Sequence, residues 1–159
     1  MSEIKVENVT YKGTRILFGD TARRKRDLLN KMSEILYSYG YQEIIIPVIQ
    51  MQETFSGKVG EENNNLMYNF KDRGNRDICL APEYTAVVQK LQQNTFKYTK
   101  DVKMFYLGEC FRGENSQFGR FRQFTQFGVE VLNPSKDYLP EMIEIATKII
   151  ELCTDKYEI

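Results

Sequence analysis

Two neighbouring stretches of this chain alternate between apolar and chemically active side chains, Phe111-Arg112-Gly113-Glu114 and Arg120-Phe121-Arg122-Gln123-Phe124-Thr125-Gln126-Phe127-Gly128-Val129-Glu130. Because the side chains of a β-strand point alternately to opposite faces, this pattern predicts two strands joined by a short turn. The odd positions form an apolar surface. The even positions form a second surface that carries Arg112, Glu114, Arg120, Arg122, Phe124, Gln126 and Glu130.

The polar surface of this hairpin has two interpretations. An antiparallel sheet often keeps one face on the core and one in water, and a solvated face is normally charged. Against this stand Phe124, a bulky ring among polar positions, and the crowding of arginines in a chain that is neutral overall. Arginine forks onto phosphate, an aromatic ring stacks on a base, and a carboxylate binds an ammonium group. We therefore expect a platform for a planar, anionic ligand.

Charge and cysteine content exclude several classes of function. The 159 residues include 22 basic and 22 acidic side chains, so we expect no broad nucleic-acid surface, and the basic run at 23–26 is interpreted as a solvated helix face. Histidine is absent, which excludes Ser-His-Asp and Cys-His catalysis. Three scattered cysteines argue against a disulfide framework and an ordinary zinc site. We expect no metal ligands, no membrane segment and a cytoplasmic protein.

Local patterns predict one domain, 1–159, of the α+β class, in which an antiparallel sheet is flanked by helices. Helical spacing predicts a helix that is capped by Asp20 or Thr21 and ends at Gly40. A second helix is expected from Pro82, and strands at 4–11, 43–49, 66–71, 77–80, 103–113 and 120–132, with a loop at 54–65. The last helix is expected to open near Pro140 and to bury Met142, Ile143, Ala146, Ile149, Ile150 and Cys153.

The same residues resemble the class II aminoacyl-tRNA synthetases, and the histidyl-tRNA synthetases in particular. The pattern Phe-Arg-x-Glu, a short loop and then Arg-x-x-x-Phe is similar to the second signature motif of the class. In family order, segments 12–15, 39–47 and 80–86 resemble its opening Gly-Thr, its first motif at the dimer interface and its Leu-Arg-Pro-Glu-Gly-Thr-Ala. Within the last of these, Ala81 stands where the family has arginine, and Tyr84 where it has glycine.

This resemblance implies a site for ATP with Mg²⁺. Arg112 would hold the α-phosphate and Arg120 would approach the outer phosphates. Glu114 would lie near the adenine amino group, and Phe124 would stack on the adenine ring. Both arginines would be catalytic, because they neutralise charge while the substrate carboxylate attacks the α-phosphorus. The amino acid would be surrounded by Glu83, Thr85, Gln126 and Glu130.

Family members are longer than this chain and continue into a third motif and an anticodon-binding domain. The resemblance therefore implies a truncated catalytic core with an exposed sheet edge, and argues against tRNA binding by 1–159. The expected cover is a homodimer through 21–49, or a second polypeptide that supplies later strands. Two functions stay open. The chain binds ATP and histidine and forms the aminoacyl-adenylate partially or with a partner, or it is a non-catalytic paralogue, a ligand-sensing regulatory subunit or a dimerising scaffold.

Overall fold

The computed structural model describes residues 9–55, 66–115 and 119–154, and its α+β fold agrees with the class predicted from sequence. Most of the strand predicted at 4–11 and of the loop predicted at 54–65 lies outside these ranges. A 3₁₀ turn occupies Gln52–Thr54. The helices and strands are, in chain order, α1 (Gly19–Ser38), β1 (Gln42–Glu43), β2 (Ile49–Met51), β3 (Asn69–Lys71), β4 (Asp77–Leu80), α2 (Thr85–Asn94), β5 (Val102–Phe111), β6 (Gln123–Leu132) and α3 (Leu139–Glu151).

The first sheet has the order β1-β5-β6. Strands β5 and β6 form the predicted antiparallel hairpin, in register from Val102 opposite Leu132 to Phe111 opposite Gln123. Strand β1 pairs with β5 in parallel, which differs from the purely antiparallel sheet that we expected. A parallel pair needs a long crossover, and the chain between β1 and β5 provides one by forming a second sheet and α2 on the way.

The second sheet has the order β2-β4-β3 and is antiparallel. Its β3–β4 hairpin turns where predicted, because Asp72 Oδ1 accepts hydrogen bonds from the backbone N–H groups of Gly74 (2.8 Å) and Arg76 (2.9 Å). The strand predicted at 43–49 is instead divided between the two sheets. Pro47 lies in the break, where its missing N–H costs no ladder hydrogen bond.

Both faces of the first sheet are packed. The face formed by odd-numbered residues contacts α1 and α3 through a core of Leu36, Tyr41, Phe105 and Ile145. The opposite face is covered by the segment at 81–88 and forms a second core of Ala81, Tyr84, Val88, Met104, Tyr106, Cys110 and Leu132. The apolar face is thus confirmed, and the other face is much less solvated than a simple two-sided pattern would indicate.

The helix boundaries correct two predictions. Helix α1 begins at Gly19 with Phe18 before it and no side-chain cap, so the predicted caps are wrong; the Asp20 carboxylate instead accepts a hydrogen bond from Arg23 at 3.1 Å. Helix α2 begins at Thr85, three residues after Pro82. The predicted helix end at Gly40 agrees with its φ of 77°, a left-handed conformation that glycine adopts without strain.

Helix α3 begins close to Pro140, as predicted, but buries a different strip. Ile145, which the prediction omitted, is 2% exposed. Ile143, Ala146, Ile150 and Cys153, which it included, are exposed. The helix thus rests on the sheet along one narrow strip and leaves a neighbouring apolar strip uncovered by the described residues. No helix in the described ranges is long and apolar enough to cross a membrane.

Candidate functional site

The register of β5 and β6 brings their even-numbered residues together across the hairpin. We name this surface, with Arg112 at its end, the even face. Its opposed pairs are Cys110 with Phe124, Gly108 with Gln126, Tyr106 with Gly128, and Met104 with Glu130. Because α2 and the segment before it cover one end, the even face is a partly enclosed platform, and the solvated-face interpretation does not hold.

Arg112 and Phe124 lie on the same side of the sheet and in contact. The guanidinium carbon of Arg112 is 5.2 Å from the centroid of the Phe124 ring, within the range of a cation–π contact. Its Nε donates to the carbonyl oxygen of Pro82 at 2.9 Å, which fixes the plane of the group. No described residue bonds its two Nη groups. These groups can fork onto an anion beside an aromatic surface.

Arg120 and Glu114, which were also predicted to contact the ligand, lie just beyond the strand ends. Arg120 Nη1 is 3.7 Å from Glu114 Oε2, and the Arg120 side chain is 66% exposed. Arg122, by contrast, is not part of a ligand surface. Its Nε donates to the Glu114 carbonyl at 3.0 Å, and its side chain packs on Gly13, whose carbonyl accepts the Arg122 backbone N–H at 2.7 Å. Arg122 therefore attaches the N-terminal segment to the hairpin.

The other end of the even face carries the carboxylates. Glu130 lies beside Thr85 and Tyr106, whose hydroxyl groups are 3.2 Å apart. Burial, helped by the negative charge of Glu83, raises the pKa of Glu130 above its usual range. Glu83 also accepts the backbone N–H of Ala86 at 2.9 Å, so it caps the first turn of α2. The residues predicted to surround the amino-acid substrate thus lie close to one another.

Tyr84 lies between these two ends. Its side chain is 1% exposed, and its hydroxyl donates to the backbone carbonyl of Glu109 at 2.9 Å. Its backbone N–H donates to Gln126 Oε1 at 3.1 Å, and the Cys110 thiol reaches the same oxygen at 3.1 Å. Burial raises the pKa of Tyr84 to about 12. From the resemblance, this tyrosine was noted as a departure from the family pattern and as a residue that would fill space used by a substrate.

Two strand glycines make room for two tyrosine rings on the even face. A Cβ at Gly108 would lie 2.7 Å from the hydroxyl oxygen of Tyr84, and a Cβ at Gly128 would lie 2.1 Å from Cζ of Tyr106. The rings meet edge to face, with centroids 5.5 Å apart. Sequence reasoning missed this pair, although glycine inside a strand is the usual sign that another group approaches closely.

A polar cluster on the opposite face was also missed. The Glu109 carboxylate accepts hydrogen bonds from Thr125 at 2.6 Å and from Lys25 at 3.3 Å. Burial alone would raise the pKa of Glu109, but the hydrogen bond from Thr125 and the charge of Lys25 outweigh it and lower the pKa. Lys25 belongs to the basic run of α1, whose other members are exposed, so this cluster holds α1 against the sheet.

The acidic residues that the structure describes are not grouped as metal ligands. Within 9–55, 66–115 and 119–154, no three His, Cys, Asp or Glu side chains are grouped closely enough to hold a metal ion. Of the nearby carboxylates, Glu83 accepts a backbone N–H, and Glu130 lies beside two hydroxyl groups. We therefore assign no described residue to the Mg²⁺ implied by the resemblance.

Comparison with solved structures defines the class of fold. The chain superimposes on apo histidyl-tRNA synthetase from S. aureus with a TM-score of 0.71 and 27% identity, over 94% of this chain and 34% of that one. An ATP phosphoribosyltransferase regulatory subunit/histidyl-tRNA synthetase from Bacillus halodurans has the same fold, with a TM-score of 0.75 and 20% identity over 93% and 39% of the two chains. The architecture is that of a class II aminoacyl-tRNA synthetase core.

The sequence comparisons specify the family. A model of the histidyl-tRNA synthetase family matches residues 13–157. Histidine–tRNA ligase of Methanosarcina acetivorans is 42% identical over 143 residues, or 88% of this chain and 34% of the relative. The enzyme of Methanococcus vannielii is 41% identical over 126 residues, or 79% and 30%. The chain belongs to the histidyl-tRNA synthetase family, and it spans about a third of the length of the curated relatives that it matches.

Proposed function

We propose that the chain is a histidyl-tRNA synthetase-like core whose even face binds ATP. The observation that carries this proposal is the contact between the Arg112 guanidinium and the Phe124 ring, fixed by the Pro82 carbonyl. The ring offers a flat surface to a purine, and the Nη groups offer a fork to the α-phosphate. Arg120 and Glu114, at the open end, take the outer phosphates and the adenine amino group.

The amino-acid half of the proposed site consists of Glu83, Thr85, Gln126 and Glu130. Two carboxylates favour the ammonium group and the imidazole of histidine. Burial strengthens such contacts, because opposite charges interact more strongly away from water.

Adenylate formation at this site needs no protein nucleophile. Arg112 and Arg120 neutralise the charge that develops on the phosphates while the substrate carboxylate attacks the α-phosphorus and pyrophosphate leaves. The family uses ATP with Mg²⁺, which supplies further neutralisation when bound. We propose that residues 1–159 perform this chemistry partially or with a partner; they match about a third of the length of the relatives.

A ligand-sensing role is the second candidate, and the position of Tyr84 favours it. A chain that binds ATP but leaves its amino-acid half filled by a buried ring would report on nucleotide without turning it over. Exchange of pyrophosphate into ATP, measured with histidine at high protein concentration, separates the candidates. Exchange supports the synthetase-like core, whereas ATP binding without exchange supports the sensor, and binding of neither ligand leaves only a dimerising scaffold.

Calorimetric titration with ATP tests the proposed function. Replacing Arg112 with Ala removes a charged hydrogen-bond donor and should weaken ATP binding by about 1.5–3 kcal/mol, or roughly 10- to 150-fold. Arg112→Lys keeps the charge but loses the fork, and should recover part of the affinity. Arg24→Ala removes the same charge from an exposed position of α1 and serves as the matched control.

Two results would contradict the proposal. One is a wild-type protein that does not bind ATP at millimolar concentration. The other is an Arg112→Ala variant whose affinity for ATP equals that of the Arg24→Ala variant.

We further propose that 1–159 forms one domain and that it pairs with a second copy through 21–49 in the cytoplasm. Ile45 and Ile49, which lie within this region, are 85% and 54% exposed. They line an apolar groove of about 580 Å³. A second polypeptide that supplies further strands is the alternative occupant, and tRNA binding is not assigned to the described residues.

A further inference from the structure

We propose that a cleft on the odd-numbered face of the hairpin binds a phosphate monoester with a small apolar body. The cleft lies between the chain segment before α1, the N-terminal half of α1 and the strands β5 and β6, and we call it the N-terminal cleft. Its walls include Arg15, Leu17, Lys25, Glu109, Phe121 and Thr125. This site goes beyond the proposed function, and neither depends on the other.

The N-terminal cleft is large enough for an organic ligand. It has a volume of about 620 Å³ and adjoins a second hollow of about 330 Å³, which shares Leu17, Lys25, Glu109 and Thr125 with it. Sites for small molecules commonly enclose about 300–1,000 Å³. An inorganic ion would leave most of this space unfilled, so a fitting ligand has a body as well as a charge.

Arg15 is the residue that indicates an anion. Its guanidinium carbon lies 3.6 Å from the centroid of the Phe121 ring, so one flat side of the group rests on the ring. This contact fixes the guanidinium and leaves its N–H edge free. No group in the described part of the chain accepts a hydrogen bond from Arg15. A guanidinium with a free edge can fork onto a phosphate.

The chain segment that carries Arg15 is held in place by other contacts. The backbone N–H of Arg122 donates to the Gly13 carbonyl at 2.7 Å, and Arg122 Nη1 donates to the Lys12 carbonyl at 3.3 Å. The segment therefore does not depend on Arg15 alone for its attachment to the hairpin, and the charge of Arg15 is available to a ligand.

The charges around the N-terminal cleft favour a dianion. Among the described residues that line the two hollows, Arg15, Lys25 and Arg26 are cationic, and Glu109 is the one carboxylate. Burial opposes the ionisation of Glu109, but the hydrogen bond from Thr125 and the charge of Lys25 lower its pKa, so it is ionised at neutral pH. Three cations and one carboxylate leave two positive charges, which match the charge of about −1.5 to −2 on a phosphate monoester at pH 7.

The uncharged walls of the cleft suit an apolar body. Leu17 lines both hollows, Phe121 lines the larger one and Leu107 the smaller one. Burial of apolar ligand surface against these side chains is favourable. The walls therefore favour an organic ester over free phosphate.

The N-terminal cleft is distinct from the even face. Its strand residues are mainly odd-numbered, and successive side chains of a strand point to opposite faces. Of the four residues proposed for ATP, Phe124 also borders the cleft, whereas Arg112, Glu114 and Arg120 do not. A substitution at Arg112 therefore leaves the cleft intact.

The test follows the backbone amide signals of isotope-labelled protein by NMR while phenyl phosphate is added. Wild-type protein should show saturable shifts at millimolar concentration, and these should include Leu17, Lys25, Glu109 and Thr125. Any further shifts on the even face should disappear in Arg112→Ala, while the shifts in the cleft remain. Phenol and inorganic phosphate each carry one half of the probe, and both should bind more weakly than phenyl phosphate.

Substitutions of Arg15 test its role in the cleft. Arg15→Ala removes a charged hydrogen-bond donor and should weaken phenyl phosphate binding at least about tenfold, as should Arg15→Gln. Arg15→Lys keeps the charge without the fork and should recover part of the affinity. Arg24→Ala removes the same charge from an exposed position of α1 outside the cleft, so this matched control should bind as the wild type does.

Four outcomes overturn the inference. They are the absence of saturable shifts in wild-type protein, shifts that all disappear in Arg112→Ala, equal affinities of Arg15→Ala and Arg24→Ala, and equal affinities of wild-type protein for inorganic phosphate and phenyl phosphate. The first, second and fourth do not require an Arg15 variant to fold. Loss of ATP binding would instead contradict the proposed function and would leave binding in the N-terminal cleft unchanged.

Discussion

Gly108 and Gly128 determine the packing of two tyrosine rings on the even face, although neither has a side chain. Each lies on a strand where an alanine would put its Cβ into a tyrosine ring. The two rings meet edge to face above the hairpin, with centroids 5.5 Å apart. At the residue scale, the packing of this surface therefore depends on two strand positions that lack a Cβ.

Gly128→Ala is expected to destabilise the protein by about 1–3 kcal/mol, because overpacking forces the Tyr106 ring off its position. Urea denaturation measures the change. Gly74→Ala, in an exposed turn, is the control and should cost less, because its Cβ would lie 3.3 Å from an exposed carboxylate oxygen of Asp72 and not inside a buried ring. Adding Tyr106→Ala should make the cost of Gly128→Ala much smaller. Additive effects of the two substitutions would contradict this close packing.

Glu130 makes stability depend on pH. Its folded-state pKa is raised above 4.5, so the native protein keeps a proton that the unfolded chain releases. Its contribution to stability is full below the unfolded pKa and is lost as pH rises through the folded pKa. We therefore expect Glu130→Gln to gain stability over wild type between pH 4 and pH 7, as measured by urea denaturation at both values. Glu34→Gln, exposed on α1, should show no such trend. A stability difference between Glu130→Gln and wild type that is the same at both pH values would refute this prediction.

The sequence predicted which residues share the even face but not what covers it. Alternation along a strand is a local property, so the common side of Arg112 and Phe124 followed directly from residue numbers. The position of the Tyr84 ring depends on α2 and on a glycine 24 positions away in the chain, and no local pattern contains that information. The same is true of Arg122, two of whose partners, the carbonyls of Lys12 and Gly13, belong to the N-terminal segment.

At the scale of elements, one ion pair fixes α3 to the sheet. Lys103 Nζ lies 2.7 Å from Glu141 Oε1, and the Tyr41 hydroxyl donates to the same carboxylate oxygen at 3.0 Å. Both charged side chains are at most 25% exposed. The hydrogen bond from Lys103, followed by that from Tyr41, lowers the pKa of Glu141. One carboxylate thus connects α3 to β5 and to the residue that precedes β1.

Glu141→Gln should destabilise the protein by about 1–3 kcal/mol at pH 7, because it leaves a partly buried ammonium group without its counter-charge. Since the pKa of Glu141 is lowered, this contribution is present above the unfolded pKa and is lost as pH falls through the folded pKa. Denaturation at pH 7 and pH 3 tests both statements. Glu144→Gln, on the exposed side of α3, should have a smaller effect; an equal effect would contradict the assigned role of Glu141.

Elements held by local contacts were predicted well, and elements held by distant contacts were not. The β3–β4 turn was predicted because Asp72 and Gly74 contain the whole motif. The division of 43–49 between two sheets was missed, because it depends on β5 on one side and β4 on the other. The parallel pairing of β1 was missed for the same reason, because it depends on β5. Likewise, the buried strip of α3 is set by the sheet beneath it and not by its own periodicity.

At the scale of the whole molecule, the surface around 44–51 stays apolar and open. Contiguous exposed apolar surface commonly marks a site of protein association. Here Ile45 is 85% exposed, beside the groove of about 580 Å³ that continues along β2. Strand β2 is also an edge of its sheet, so its unpaired backbone groups face outward.

Ile45→Asp should therefore weaken self-association, because it places a charge in the centre of the proposed contact. Sedimentation equilibrium is expected to give a dimer for the wild type and a shift towards monomer for the variant. Tyr98→Asp alters an apolar residue that is 88% exposed but remote from 21–49 in sequence, and it should remain dimeric. A wild-type monomer, or equal behaviour of both variants, would exclude this contact.

The filled space over Gly108 also constrains how the gene can change. Tyrosine codons begin with TA and glycine codons with GG, so no single nucleotide substitution converts Tyr84 into the glycine of the family pattern. The intermediates are cysteine and aspartate, which would place a thiol or an additional carboxylate next to Gln126 and Glu130. A lineage that carries this tyrosine therefore cannot acquire the family's glycine in one mutational step, and each intermediate changes the packing over Gly108.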